Sequence, residues 1–407
     1  MESNRISRRT FAKSAATAAA AIAAPTIIPA SALGLGKRPA PSERIVMATI
    51  GTGGRGTGDM NSFMGFPEVQ MVAVCDPVLE HRERARERVN GRYDNDDCSV
   101  YTDFREVNQR DDIDAVLIGT PDHWHAIITI DCCKNGKDVF CEKPESLTVA
   151  EGRAMVNAAR RYSRVVSGGS QRVLGDYGDI PRLVRGGAIG QIEEIFVNCG
   201  GPSGECYLEP EAEPEGLNWD LWIGPAPWRP YNTRLVKGGY RPFRDYSGGG
   251  MTDWGAHRFG AAMFAAGVHH MGPVSVTPPD GNDVEFLTYE FENGIKMYHG
   301  GTNNITYKGT EGEIPGKHPA MLERVDMEGY RGRGGIFGDF VHCVKTRELP
   351  FRDIEIAHRA CTVCHLGNIA YWLGRPLKFD PENEEIIDDP AANRWLDRPR
   401  RGEWTLT

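Results

Sequence analysis

Gly51, Gly53 and Gly56 form a G-x-G-x-x-G set directly after the apolar run Ile45 to Ile50, and a second apolar run, 70–75, ends on Asp76. In a strand–loop–helix context this pattern cradles a dinucleotide. Gly51 permits a tight turn, Gly53 lets the backbone approach a pyrophosphate, and Gly56 lets helix and strand pack closely. Gly54 and Arg55 open the helix, whose free N–H groups and partial positive charge suit phosphates. Asp76 would accept hydrogen bonds from the adenosine ribose and repel a 2′-phosphate, so NAD is expected over NADP. A Gly-rich core loop is the bland alternative in a chain with 48 glycines. The preceding strand, the following helix and the acid beyond favour the cofactor.

Two more strand ends carry reactive side chains. Gly119-Thr120-Pro121-Asp122-His123-Trp124-His125 closes the run 115–119, and Glu142-Lys143-Pro144 closes the run 139–141. Ligands of doubly wound sheets sit outside the carboxyl ends of the strands. Thr120, Pro121, His123, His125 and Glu142 are therefore expected around the nicotinamide side. An ordinary strand-to-helix turn, capped by Asp or His, is the alternative. Lys143 beside a cationic nicotinamide would have a lowered pKa, suited to polarising a hydroxyl or to proton transfer. On spacing alone a surface lysine in a turn is an equal reading. Asp253 and His257 are spaced i, i+4 and share a face if their segment is helical; a helix cap and a buried, satisfied histidine explain them equally well.

The elements that must position these residues alternate. Strand runs at 45–50, 70–75, 115–119, 139–141 and 164–166 are interleaved with helical patterns up to Tyr162, which implies a parallel sheet with right-handed crossovers. The texture changes after Gln171. Strand patterns recur at 192–199, 284–291 and 295–299, separated by a Pro-, Trp- and Gly-rich stretch from 200 to 250. A helix is expected over 355–373. The fold class is thus α/β: an N-terminal Rossmann sheet over 44–170, then an α+β substrate domain over 171–380 with an open, mostly antiparallel sheet, and an extended tail over 381–407.

The chain has 407 residues and a net charge of −9, against the basic surface of a nucleic-acid binder. Ser7-Arg8-Arg9-Thr10-Phe11-Ala12-Lys13, the Ala-rich stretch to Ala24 and Ala30-Ser31-Ala32 read as a twin-arginine export signal over 1–32, with a linker over 33–43. The expectation is a periplasmic or otherwise exported protein that passes the Tat machinery and is not membrane-inserted in its mature form. Ten cysteines do not space like a disulfide framework. Cys361-Thr362-Val363-Cys364-His365 matches the C-x-x-C-H haem-attachment signature, but lies within a helical pattern and reads as a buried face. No metal-ligand set is expected.

The order G-x-G-x-x-G, Asp76, Gly-Thr-Pro, Glu-Lys-Pro, followed by Gly248-Gly249-Gly250-Met251-Thr252-Asp253-Trp254-Gly255-Ala256-His257, resembles the glucose–fructose oxidoreductase/inositol dehydrogenase (Gfo/Idh/MocA) family. The C-terminal stretch from His365 to Asp380 looks like its exported bacterial branch. The resemblance implies an NAD-dependent oxidoreductase acting on a sugar, cyclitol or sugar derivative, and a homo-oligomer. It makes Lys143, Asp253 and His257 the catalytic group. His257 would be the base, Lys143 the stabiliser of the substrate oxygen, and Asp253 would orient His257 or bind a second hydroxyl. Tyr240, Arg241, Arg244 and Tyr246 would bind the substrate, and Trp219, Trp222, Trp228 and Tyr231 would stack on sugar faces or pack the irregular segment. One departure is Gly260, where the family often has an aspartate. The resemblance also admits an NAD-dependent glycosidase or lyase, working by transient oxidation and elimination. A sugar-binding protein with NAD as a structural ligand is a third reading.

Overall fold

Six strands, β1 (Ile45–Ile50), β2 (Val69–Cys75), β3 (Ser99–Tyr101), β4 (Ala115–Ile118), β5 (Asp138–Cys141) and β6 (Val166–Gly168), form a parallel sheet in the order β3-β2-β1-β4-β5-β6. In this computed structural model the described residues are 38–175, 179–315 and 328–407. The expected export signal, 1–32, lies outside them, as do residues 33–37 of the linker. The crossovers carry α1 (Gly54–Phe63), α2 (Leu79–Tyr93), α3 (Phe104–Asn108), α4 (Asp122–Lys134) and α5 (Val149–Arg161). Helices cover both faces, which is why β4 and β5 are buried at every position. The strand order reverses between β1 and β4, so the crevice opens where Gly51 meets Gly119 and Thr120.

After two short helices, α6 (Arg172–Gly175) and α7 (Asp179–Arg185), the chain enters a second sheet at β7 (Ile192–Val197). It continues through α8 (Trp219–Ile223), α9 (Gly250–Asp253) and α10 (Gly255–Ala266) to β8 (Pro273–Thr277), β9 (Leu287–Phe291), β10 (Lys296–His299), β11 (Ile305–Gly309) and β12 (Gly312–Pro315). Two long helices, α11 (Gly335–Thr346) and α12 (Ile354–Leu373), precede β13 (Leu377–Asp380), β14 (Glu385–Ile386) and α13 (Pro390–Asn393). The order is β12-β11-β7-β10-β9-β8-β13-β14, antiparallel except at the parallel β7–β10 pair. Phe259 and Met263 of α10, Val363 and Leu366 of α12, and Tyr289 and Met297 of the sheet share one apolar core.

Two long-range packings bind the halves. Ile336, Phe340 and Cys343 of α11 bury against Met47, Phe63 and Phe140 of the parallel-sheet core, with the Phe140 and Phe340 rings 5.8 Å apart. The stretch after 381 is only partly extended: it contains β14, α13 and a 3-10 turn, then returns to the first sheet's helices. Arg398 donates to Glu151 Oε1 at 2.8 Å and to the His123 carbonyl at 2.9 Å, and Trp404 packs edge-on against Trp124 at 4.7 Å. The tail docks through these Arg and Trp side chains, which local sequence pattern does not report. Among the described residues no helix is long and apolar enough to cross a membrane.

All ten cysteines are free. Cys361 and Cys364 are fully buried within α12, donating to Glu145 Oε2 at 3.0 Å and to the Ala360 carbonyl at 3.3 Å. The C-x-x-C-H sequence is a packed helix face.

Candidate active site

The glycine loop has the geometry its spacing predicts. Gly51 has φ +85°, and a Cβ there would fall 2.5 Å from the Thr120 amide nitrogen. A Cβ at Gly56 would fall 1.9 Å from the Gly51 carbonyl oxygen. At Gly53 a Cβ would meet no protein atom within 4 Å. The first two glycines serve the protein's own packing, whereas Gly53 borders open space. That space is a cavity of about 470 Å³, walled by Gly51, Gly53, Gly54, Arg55, Asp76, Thr120 and Pro121 on one side and by Tyr240 and Arg241 on the other.

Asp76 lies at this wall, just past β2. One oxygen accepts from the Thr52 amide at 2.8 Å and the other from the Val78 amide at 2.9 Å. The carboxylate therefore braces the glycine loop and keeps lone pairs for a ribose. His81, which sequence reasoning passed over, lies 3.5 Å from Asp76 on the same wall.

Arg55 lines the cavity while paired with Glu142 at 3.0 Å and Asp59 at 2.7 Å. Glu142 is buried and holds Arg55 instead of forming the wall. Burial, then the nearby Glu142 charge, push the Asp59 carboxyl well above the usual carboxylate range, which Arg55 only partly offsets. Asp59 carries no signal in the sequence beyond its helical spacing from Arg55.

His123 and His125 are buried and stand off the cavity wall, contrary to their expected place around the nicotinamide. His123 Nε2 lies 3.1 Å from the Trp222 carbonyl. His125 spans two carbonyls, Pro144 at 2.7 Å from Nδ1 and Thr120 at 2.9 Å from Nε2. Both point inward from the first turn of α4, under the loops that face the cavity. His125 thereby ties the Thr120 loop to the Lys143-Pro144 turn.

Lys143, Asp253 and Arg241 converge from three segments. Lys143 Nζ donates to Asp253 Oδ1 at 2.6 Å and to the Asp253 carbonyl at 3.1 Å. Arg241 Nε donates to the same carboxylate oxygen at 3.0 Å. Burial would raise the Asp253 carboxyl, but Lys143 and Arg241 outweigh it and hold the pKa below the usual range. Asp253 ends α9 and His257 lies in α10, with Trp254 between the helices, so the expected continuous helical face is interrupted. The Asp253 carboxylate is bonded to the two cations, not to His257. His257 is 3% exposed and its Nδ1 has no hydrogen-bond partner. Burial first, then the charges of Lys143, Arg172, Arg352 and Arg55, push its pKa down to about 2.

The remaining expected substrate residues divide. Tyr240 is on the cavity wall, its hydroxyl 3.5 Å from Asp122 Oδ1. Tyr246 is fully buried, packed between His123 and Trp222. Arg244 lies in a separate cavity of about 300 Å³, its guanidinium over the rings of Trp372 and Trp395 and paired with Glu205 at 3.2 Å. Trp219, Trp222 and Tyr231 pack one small core, in which Trp222 also forms cavity wall, and Trp228 is exposed. In an irregular segment side-chain direction follows from packing, so the sequence leaves these assignments open.

The buried histidines make a stability prediction. Burial lowers His123 and His365 to about 3 and, with the charges just described, His257 to about 2, against a usual 6.5. Unfolded, each takes up a proton below pH 6.5; folded, each resists until far lower. Their contribution is complete above pH 6.5 and is lost as pH falls, at most about 1.4 kcal/mol per histidine per pH unit. Thermal unfolding between pH 7 and 4 should show a steadily falling Tm. A flat Tm would mean that these rings are hydrated in the native state.

Comparison with known proteins settles the family. Residues 45–170 match the "Oxidoreductase family, NAD-binding Rossmann fold" description and residues 201–406 match "Oxidoreductase family, C-terminal alpha/beta domain". The chain belongs to the Gfo/Idh/MocA oxidoreductase family. NAD is the cofactor of its first domain, and the open face at Gly53, the braced Asp76 and the cavity between them fit it. Among curated relatives, "Glycosyl hydrolase family 109 protein 1" of Shewanella sp. (strain ANA-3) is 33% identical over 177 residues, 40% of this chain and 38% of the relative. "Alpha-N-acetylgalactosaminidase" of Shewanella oneidensis is 30% identical over 180 residues, 40% of this chain and 38% of the relative. The matched stretch thus spans under two fifths of these relatives. Aldose-aldose oxidoreductase from Caulobacter crescentus, solved with glycerol, shares the Gfo/Idh/MocA fold at TM-score 0.58 and 20% identity, covering 83% of this chain and 100% of that one. Scyllo-inositol dehydrogenase from Lactobacillus casei, solved with NAD(H) and scyllo-inositol, gives TM-score 0.57 at 16% identity, covering 82% and 99%.

Proposed function

We propose that this protein oxidises a hydroxyl of a sugar, cyclitol or sugar derivative with a tightly retained NAD. The observation that carries the reading is the Lys143–Asp253–Arg241 junction, 2.6 and 3.0 Å across, with Arg241 on the cavity wall. It brings a charged lysine to the carboxyl edge of β5, where substrate would meet cofactor. When bound, NAD supplies the hydride acceptor. Gly51, Gly53, Gly54, Arg55 and Asp76 would hold it, with Thr120 and Pro121 toward its reactive end. Lys143 would donate to the substrate oxygen and stabilise charge developing there. His257, held neutral, would take the hydroxyl proton. Asp253 keeps Lys143 aimed.

The curated relatives favour a second reading, in which the same oxidation is transient. It would acidify the neighbouring C–H, permit elimination of the glycosidic group with that proton, let water add across the double bond so formed and end with the hydride returned. Release of aglycone without net NADH separates this glycosidase activity from net oxidation.

We further propose export by the twin-arginine signal and self-association. Replacing Arg8 and Arg9 by lysine should leave the protein in the cytoplasm, and light scattering of the mature protein should give more than one protomer. An exported enzyme has no free NAD pool to draw on, which is the reason for a retained cofactor. Denaturing natively exported protein and weighing the released nucleotide tests this. Near-stoichiometric NAD(H) is expected. NADP(H) would refute the role given to Asp76, and no nucleotide would refute retention.

A further inference from the structure

Two walls face each other across the cavity at the end beside Asp76, where the adenosine half of NAD would lie. Phe104 and Trp124 belong to one, and Leu221 and Trp222 of α8 to the other. α8 is five residues long, too short to persist as a helix alone, so its place depends on what ties it down. Its leading end is tied just past Asp76. The Leu79 amide donates to the Gly216 carbonyl at 2.8 Å, and the Asn218 amide donates to the Pro77 carbonyl at 3.0 Å. Its trailing end lies on Trp124. Trp124 Nε1 donates to the Trp222 carbonyl at 3.1 Å, and a Cβ at Gly224 would fall 2.0 Å from the same indole.

Residues 401–404 hold both walls without lining the cavity. Arg401 Nε donates to the Gly224 carbonyl at 3.0 Å. Its terminal nitrogens donate to the Asp220 carbonyl at 3.0 Å and to Asp220 Oδ1 at 2.7 Å. Its amide donates to the Pro225 carbonyl at 3.0 Å. The end of a helix leaves carbonyls unpaired and carries partial negative charge, and a guanidinium answers both. Three residues on, the Trp404 ring stands 4.7 Å from that of Trp124 and 6.0 Å from that of Phe104. Arg105 lies over the Trp404 ring at 5.0 Å and pairs with Glu403 at 2.6 Å. One short stretch of chain thus braces the α8 wall through Arg401 and the opposite wall through Trp404.

We propose that Arg401 and Trp404 are positioning residues for the cofactor: they clamp α8 against Trp124, and the strength of that clamp sets how slowly nucleotide leaves. The proposal deepens the retained-NAD reading and rests on it. A ligand under a tied segment escapes when the segment opens, and local opening is governed by the segment's own contacts. Removing contacts that never touch the nucleotide should therefore speed its release without changing the chemistry at Lys143.

The test loads the full-length protein with NAD and follows exchange against an excess of isotopically labelled NAD by mass. Arg401→Ala and Trp404→Leu should each release nucleotide on the order of tenfold to a hundredfold faster than wild type, the range of one or two side-chain contacts. Arg401→Lys keeps the charge at the end of α8 with fewer bonds, and its release should fall between Arg401→Ala and wild type. kcat at saturating NAD should stay near wild type in all three, which a general loosening of the fold would not allow. Wild-type release rates in both Arg401→Ala and Trp404→Leu would overturn the proposal, as would faster release matched by an equal fall in kcat. Wild-type protein that exchanges NAD freely would refute retention alone. The clamp is then read from NAD affinity: weaker binding by Arg401→Ala and Trp404→Leu supports it, and unchanged binding overturns it.

Discussion

Lys143→Met is expected to lower kcat on the order of a thousandfold, the combined scale of lost oxyanion stabilisation and lost proton management. The fold should survive, because Asp253 keeps its bond to Arg241 at 3.0 Å when the 2.6 Å bond from Lys143 is gone. Nucleotide content should stay near wild type, because Lys143 is not on the cavity wall built by the glycine loop and Asp76. Lys143→Arg should not restore activity. A guanidinium offers a planar fork where the site places a compact charge against one carboxylate oxygen and one carbonyl. The measurement is kcat on a substrate found by sugar and glycoside panels, alongside nucleotide per protomer. Full turnover by Lys143→Met would remove Lys143 from the chemistry.

Gly53→Val and Gly56→Val should separate cofactor binding from folding. At Gly56 the new Cβ would lie 1.9 Å from the Gly51 carbonyl, so strand and helix must part. Overpacking of this kind costs roughly 1–3 kcal/mol or more and would remove the cradle with it. At Gly53 the backbone has φ −62°, open to any residue, and no protein atom lies near the new Cβ. Gly53→Val should keep a wild-type Tm in nucleotide-free protein yet bind NAD on the order of a hundredfold more weakly, because the side chain fills the space a pyrophosphate approaches. Titration of NAD into stripped protein reads the second effect and calorimetry reads the first. Equal NAD affinity in Gly53→Val and wild type would move the phosphates elsewhere.

The contrast between these two sites shows where sequence reading is strong. Gly51, Gly53, Gly56 and Asp76 act through backbone conformation within one strand–loop–helix–strand unit, so spacing alone places them. His123 and His125 lie only a few residues from Thr120 and Pro121, yet they turn inward. The first turn of α4 is buried all round, so local order cannot say which side faces a ligand. Tyr246 and Arg244, read as substrate contacts, went respectively into a packed core and a separate cavity, because the stretch from 200 to 250 has no periodicity to orient its side chains. Arg401 and Asp59 were not singled out, since an isolated Arg or Asp carries no pattern until its neighbours are known.

By itself the sequence determined the α/β class, the dinucleotide loop with its acid, and the membership that the Lys143, Asp253 and His257 motifs announce. Tertiary structure alone decided that Lys143 reaches Asp253 across 110 residues, that Asp253 serves two cations and leaves His257 unpaired, and that Arg401 reaches the end of α8. It also decided that α11, late in the chain, completes the core of the first sheet. The physical reason is common to all of these. Short-range hydrogen bonding and steric limits are written in neighbouring residues, whereas charge pairing and burial depend on which distant surfaces pack together.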